Sequence, residues 1–358
     1  MTSQAKFYAL YLPQFHEIPE NNEWYGKGFT DWRTVTSAKP LFPGHYQPHI
    51  PADLGFYDLS YKENLIKQIE LANTYGVDGF LYWHYWFGDN KQLLQKPFNE
   101  LVSDKSINFP FALAWANASW YKKQWKKDVK DQLLIEQKYG GIEDYTAHFY
   151  SLLEAFRDPR YIRVDGKLLF LVYVPLDNNE ISSFIEVWRT LARKEKIGDF
   201  YFVGQDSIEK NRTQIFKEGF DAVYNQNTFA IYQNLPTLLK GVLKILRNIG
   251  IPICFKYKNA INYMIREADF EENTIPVVVP NWDHSPRSGA NNIMFRDCHP
   301  KYFRALVQNA LRAVKNKRNK IIIIKSWNEW AEGNYMEPDL KYGKGYLEEL
   351  KSAKEDVL

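Results

Sequence analysis

Short apolar runs that break off into polar and aromatic residues recur along this 358-residue chain. Eight of them read as strands: residues 7–12, 79–85, 111–115, 168–174, 200–205, 222–225, 275–280 and 321–325. The last opens with Ile321-Ile322-Ile323-Ile324, a β-branched run suited to a strand buried on both faces of a parallel sheet. Between most strands the apolar period changes to that of a helix. In residues 61–75, Leu65, Ile66, Ile69, Leu71 and Ala72 mark one apolar face and Gly76 is a stop signal. Residues 142–156, 182–196 and 300–314 follow the same pattern. Strand–helix alternation eight times over predicts an α/β protein, a (β/α)8 TIM barrel. A doubly wound open sheet is the main rival, but no Gly-rich turn follows the first strand.

The length suits one barrel domain over residues 1–358. Two excursions depart from the minimal repeat. Residues 13–60, after the first strand, are rich in Pro, Gly, Trp and His, and loops this long usually bind or cover a site. Residues 226–273 lie between strands six and seven. They contain a stretch from Leu238 to Lys258 in which Lys240, Lys244, Arg247 and Lys256 are set among Leu, Val and Ile. Two readings compete for it: helices packed on the barrel, or a basic amphipathic element making a peripheral membrane contact.

The balance of 46 basic and 43 acidic side chains is too even to predict a nucleic-acid partner. Aromatic residues make up 16% of the chain, which fits a well-filled core and, beside amides and acids, the stacking of sugar rings. No segment has the ~18 consecutive apolar residues of a membrane span. The start enters a strand at once, without a signal-like region, so the expected location is the cytoplasm, at most peripheral to the inner membrane. Cys254 and Cys298 have no metal or redox spacing. There is no phosphate-cradling Gly-rich loop, no Gly-x-Ser-x-Gly elbow and no HxH, HxxE or DxD pattern, so neither a metal nor a cofactor is expected.

The active site of such a barrel lies at the carboxyl ends of its strands. Strand one ends in Tyr11, Gln14 and His16, with Trp32 in the loop beyond; strand two ends in Trp83, His84 and Trp86. Asn117 follows strand three, Tyr173 ends strand four and Gln205 ends strand five. Strand seven leads to Trp282, Asp283 and Arg287. Strand eight leads to Trp327, Asn328, Glu329, Trp330 and Glu332, with Tyr335 just after. Two glutamates three apart among indoles suit glycosidic-bond chemistry, one carboxyl moving a proton and the other acting as base or nucleophile. The remaining residues are expected to bind the sugar. Glu332 is expected to be the protonated member, through burial among Trp327 and Trp330 and the like charge of Glu329.

These residues also carry a family resemblance. Tyr11-Leu12-Pro13-Gln14-Phe15-His16, Gly28-Phe29-Thr30-Asp31-Trp32 and Trp327-Asn328-Glu329-Trp330-Ala331-Glu332-Gly333 resemble the signatures of WbsX-type surface-polysaccharide proteins. Gly55-Phe56-Tyr57-Asp58-Leu59, Asp158-Pro159-Arg160-Tyr161 and Glu337-Pro338 add to the match. That group is similar to glycoside hydrolase family 99, the endo-α-mannosidases. The resemblance implies a TIM barrel and a retaining reaction. In it Glu329 would assist attack by the sugar's own 2-hydroxyl, and Glu332 would serve as general acid and then base. The chain departs from the family pattern at Ala118 and Ser119, at Asp31 in place of a Glu, and at Ala331 where the hydrolases carry His. The expected substrate is an oligosaccharide or polysaccharide. Hydrolysis, glycosyl transfer in O-antigen or capsule (lipopolysaccharide) biosynthesis, and non-catalytic glycan binding all remain open at this point.

Overall fold

The computed structural model describes residues 4–123, 130–207 and 209–356. Eight parallel strands form the barrel. They are β1 (Lys6–Tyr11), β2 (Gly79–Trp86), β3 (Phe111–Trp115), β4 (Lys167–Val172), β5 (Phe200–Asp206) and β6 (Ala222–Asn225), then β7 in two pieces (Thr274–Ile275 and Val277–Val278) and β8 (Ile321–Ile324). Pro276 divides β7 because it has no N–H for the ladder, although its carbonyl still accepts from Ile323 N–H at 3.0 Å. The first piece pairs with β6 and the second with β8. The ring closes where β8 meets β1, with Lys6 opposite Ile321 and Ala9 opposite Ile324.

All four isoleucines of β8 are buried. One side of each barrel strand faces the bore and the other faces a layer of helices, so both sides must be apolar. The helices are α1 (Lys62–Thr74), α2 (Lys96–Ser103), α3 (Gly141–Ser151), α4 (Ile181–Lys194), α5 (Arg212–Lys217), α6 (Thr237–Asn248), α7 (Pro300–Val314) and α8 (Gly345–Glu355). α4 shows why they pack: Ile181, Phe184, Ile185, Trp188 and Ala192 recur at helical spacing and are all buried. Burying one such large side chain contributes about 1.5–3 kcal/mol. The predicted helix over 142–156 is instead α3 followed by a separate turn, Leu153–Arg157.

The first excursion carries two short helices, Pro19–Tyr25 and Asp31–Thr36, beside the carboxyl end of the barrel. The second excursion divides in two. Its later part packs on the barrel through Tyr257, Ala260 and Ile261, and its strand Ile253–Lys256 pairs with Ile293–Arg296. Its earlier part, α6, contains no buried residue. Among the described residues, no helix is long and apolar enough to cross a membrane.

Candidate active site

A cleft of about 620 Å³ opens at the carboxyl ends of the strands, with Glu329 and Glu332 in its lining. Strand alternation decides much of what else reaches it. On β2, Trp83 and Tyr85 face the cleft. The intervening His84 and the following Trp86 face the helix layer, where His84 Nε2 lies 2.7 Å from His148 Nε2 and Trp86 stacks on the His148 ring. After β3, Ala116 lines the cleft, while Asn117 turns away to bond the backbone of Val174 through both ends of its amide. Tyr173 and Lys325 complete the bore-side set from β4 and β8, and Leu12 and Gln14 follow β1. The outer wall is aromatic, built from Tyr25, Trp120 and Tyr121.

The segment that carries the two glutamates is held from behind. Asn328 accepts from Leu12 N–H at 2.7 Å and donates to the Leu12 carbonyl at 3.0 Å, tying the end of β8 to the end of β1. Trp330 stacks on Tyr335 at 3.7 Å and donates to Glu337 at 2.6 Å. Glu337 also accepts from Gln68 at 2.6 Å and Tyr57 at 3.0 Å. Its burial raises its carboxyl to about 7 despite those donors. The strand-seven loop closes on the other side, where Asp283 N–H donates to the Glu332 carbonyl at 2.7 Å. Gly333 makes that approach possible: its φ is +57°, and a Cβ there would stand 2.9 Å from the Asp283 backbone nitrogen.

The two carboxyl groups meet different surroundings. Glu329 accepts from Trp83 Nε1 at 2.8 Å and from Ser326 Oγ at 3.2 Å. Burial, and then the neighbouring Glu332 carboxylate, push Glu329 up to about 7, against the opposing effects of Lys325 and Trp83. Glu332 has cations on both sides, with Arg287 Nη1 at 3.7 Å and Lys325 Nζ at 4.0 Å. Arg287 is anchored in turn by Asp31 at 3.1 Å. The carboxyl that these surroundings raise is Glu329. The indoles expected to bury Glu332 pack elsewhere. Trp327 packs on Phe80, and Trp330 packs between Trp32 and Tyr335.

Comparisons with known proteins give the family and the fold. A family model described as glycosyltransferase WbsX matches residues 7–350. The chain belongs to the WbsX family. WxcX proteins from two strains of Xanthomonas campestris pv. campestris are 34% and 33% identical to it over 356 residues, 98% of the chain. The chain spans about half the length of these curated relatives, 50% in each case. Two solved structures share the fold. A glycoside hydrolase-like protein superposes with a TM-score of 0.61 at 16% identity, covering 99% of this chain and 95% of the other. The GH99 endo-alpha-mannosidase from Bacteroides thetaiotaomicron gives a TM-score of 0.58 at 17% identity, covering 98% and 96%.

Of the residues singled out in the sequence of this WbsX protein, Gln14, Trp83, Tyr173, Arg287, Glu329 and Glu332 line the cleft. The others lie outside it. Tyr11 faces the helices and donates to Gln68 at 2.7 Å, and His16 is buried by a separate surface hollow beside Gln95 and Asn99. Trp32 donates to the Tyr57 carbonyl at 2.7 Å. His84 is held neutral, its pKa lowered to about 3 by burial. Gln205 accepts from Tyr224 at 2.9 Å and lines a smaller hollow that shares Tyr173 with the cleft. Trp282 lies under Lys325, whose ammonium is 5.5 Å from its ring centroid. Asp283 faces a second pocket and accepts from His45 at 2.8 Å and Gln47 at 2.6 Å. Burial pushes the Asp283 carboxyl up, but those bonds and the His49 charge outweigh it and hold it at about 2. Trp327, Asn328, Trp330 and Tyr335 are packed behind the motif, and the Tyr335 hydroxyl donates to Asp339 at 2.7 Å.

Sequence reasoning missed Tyr85 and Lys325. The signal was there for both: Tyr85 is two residues from Trp83, and Lys325 directly follows four buried isoleucines. Tyr25, Trp120 and Tyr121 carried no comparable signal, because a short helix and a short strand outside the barrel repeat bring them to the cleft. Among the described residues, no group of three metal-ligating side chains gathers anywhere.

Proposed function

We propose that this WbsX protein is a carbohydrate-active enzyme that cleaves or transfers glycosidic bonds of a bacterial surface polysaccharide, using Glu329 and Glu332 as its proton-handling pair. The observation that carries this reading is the joint placement of the two carboxyl groups in one aromatic-walled cleft, with Glu329 raised to about 7. A carboxyl that titrates near neutrality is suited to general acid–base work.

Glu332 is itself a hydrogen-bond partner of Glu329 and contributes to its raised pKa. Below about pH 7 Glu329 holds a proton, and the hydrogen bond between the two groups passes it to Glu332 before the reaction, leaving Glu329 ionised. In the reaction, Glu329 takes the proton of the sugar's 2-hydroxyl as that oxygen attacks C1. Glu332 gives a proton to the departing glycosidic oxygen. Water or another sugar hydroxyl, deprotonated by Glu332, then attacks C1 of the 1,2-anhydro sugar so formed; the C1–O2 bond breaks, Glu329 returns its proton to O2, and the result is net retention. Arg287 and Lys325 hold Glu332 in place, while Gln14, Trp83, Tyr85, Tyr173 and Trp120 contact the glycan.

The pH dependence follows from the single shared proton. Below about 7 the pair carries it; above about 7 it is lost, so kcat/KM falls about tenfold per pH unit on the alkaline side. Trp83→Phe removes a donor that favours the ionised form of Glu329. The alkaline limb of this variant moves to higher pH. A limb left unmoved would show that the Trp83 bond does not tune the pair.

The function itself is tested by incubating the protein with a panel of bacterial surface polysaccharides and reading products by mass spectrometry. Fragments from the wild type, absent with Glu332→Gln, mark hydrolysis. Extended chains formed from a lipid-linked oligosaccharide acceptor mark transfer, the reading favoured by the family's description. Glycan binding without either product in both assays would refute an enzymatic role.

A further inference from the structure

α6 (Thr237–Asn248) lies on the sixth βα connection and has no buried residue. At 3.6 residues per turn, Leu238, Val242, Ile245 and Ile249 align along one side. They are 83, 45, 63 and 68% exposed, and Ile251, just past the end of the helix, is 48% exposed. Lys240, Lys244 and Arg247 lie on the other side of the helix. The charge pattern reaches well past α6. Between Asp221 and Glu267 the chain carries six basic side chains and no acidic one, while the remainder has 40 basic against 43 acidic.

An aligned apolar stripe of this kind marks a surface that something covers. The charge selects between the two simplest covers. A second copy of the chain packed through a two-fold axis would set one basic segment against another. A bilayer with anionic headgroups would be attracted to both, and over a Debye length of about 8 Å the basic side chains act without touching it.

We infer that α6 docks the protein on the surface of an anionic lipid bilayer, with Leu238, Val242, Ile245 and Ile249 inserted at the headgroup–acyl boundary. The sixth βα connection leaves the barrel at the end that carries Glu329 and Glu332, so docking holds the cleft near the membrane surface. Glycans joined to a membrane lipid are then the substrates presented to it. The docking does not depend on whether the cleft hydrolyses or transfers, and its test reads no turnover.

The test is sedimentation of the full chain with sucrose-loaded vesicles of phosphatidylcholine, with and without phosphatidylglycerol. Wild type should partition at least about tenfold more strongly onto the anionic vesicles at low salt and lose most of that in high salt. Val242→Asp/Ile245→Asp should lower the partition at least about tenfold. Lys244→Glu/Arg247→Glu should lower it by about fivefold or more per charge removed. Because Val242 and Ile245 are exposed, far-UV circular dichroism and thermal unfolding of the first variant should match wild type. Absence of wild-type binding to anionic vesicles, or equal binding by the aspartate variant, would overturn the inference. So would a dimer in analytical ultracentrifugation that Ile245→Asp separates while vesicles remain unbound, since a second copy would then be the cover.

Discussion

Replacing Glu332 by glutamine should lower kcat/KM by about 10³-fold, within the 10²–10⁴ range of a lost general acid. The substitution keeps the size of the side chain and leaves Arg287 paired with Asp31 at 3.1 Å, so the cleft should keep its shape and its affinity for glycan. It also removes the like charge that helps to raise Glu329. Glu329 should therefore drop from about 7 toward the ordinary carboxylate range, a shift that carbon-13 NMR of the labelled side chain can follow. Glu329→Gln should cost a similar factor, because the two groups share one proton. The double variant should be little worse than either single one, as for residues that act as a unit. Near-wild-type turnover in Glu332→Gln, or strictly multiplicative losses in the double variant, would remove the pair from the mechanism.

The second large effect lies at the opposite end of the barrel. Arg160 is nearly buried and binds Asp158 through two donors, at 2.7 and 2.9 Å. Its guanidinium also donates to the carbonyls of Leu101, Val102, Asp104 and Ile107, which lie in the last turn of α2 and just past it. Those carbonyls have no helical N–H to satisfy them. Arg160→Ala would take this donor from the carbonyls of Leu101, Val102 and Ile107, while that of Asp104 keeps the Ile107 N–H, and it would strand the Asp158 carboxylate, which Lys105 alone would then neutralise. Breaking a buried pair of this kind costs about 3–5 kcal/mol. Arg160→Lys should recover little, because a single ammonium cannot reproduce the planar fork. Urea unfolding would measure the loss, with kcat per folded molecule unchanged. A cost below about 1 kcal/mol would show that water replaces the guanidinium. Asp158 to Tyr161 belong to the family signature, yet they serve the barrel's stability and not its chemistry.

What could be read from the sequence alone was what repeats or stands adjacent in the chain. Apolar runs of strand length alternating with helical periods are enough for a (β/α)8 barrel, because both faces of every strand must be covered. The glutamate pair was legible because it directly follows four isoleucines that can only be an interior strand. What the sequence could not sort was which polar and aromatic residues at the strand ends enter the cleft. His84, Trp86, Asn117 and Asn328 have the composition of a sugar site, but they fasten helices and neighbouring strand ends to one another. Tyr85 and Lys325 reach the bore by alternation, and Trp120 reaches the cleft from a short strand beyond β3. The assignment of the raised carboxyl to Glu329 was also tertiary. It depends on the burial of Glu329 and on the Glu332 carboxylate beside it, which together outweigh the opposing effects of Lys325 and of Trp83 from β2. Spacing along the chain determines which residues arrive together at one end of a barrel. Only the packing of separate strands and loops decides which of them face water, which face a helix, and which carboxyl is pushed up toward neutrality.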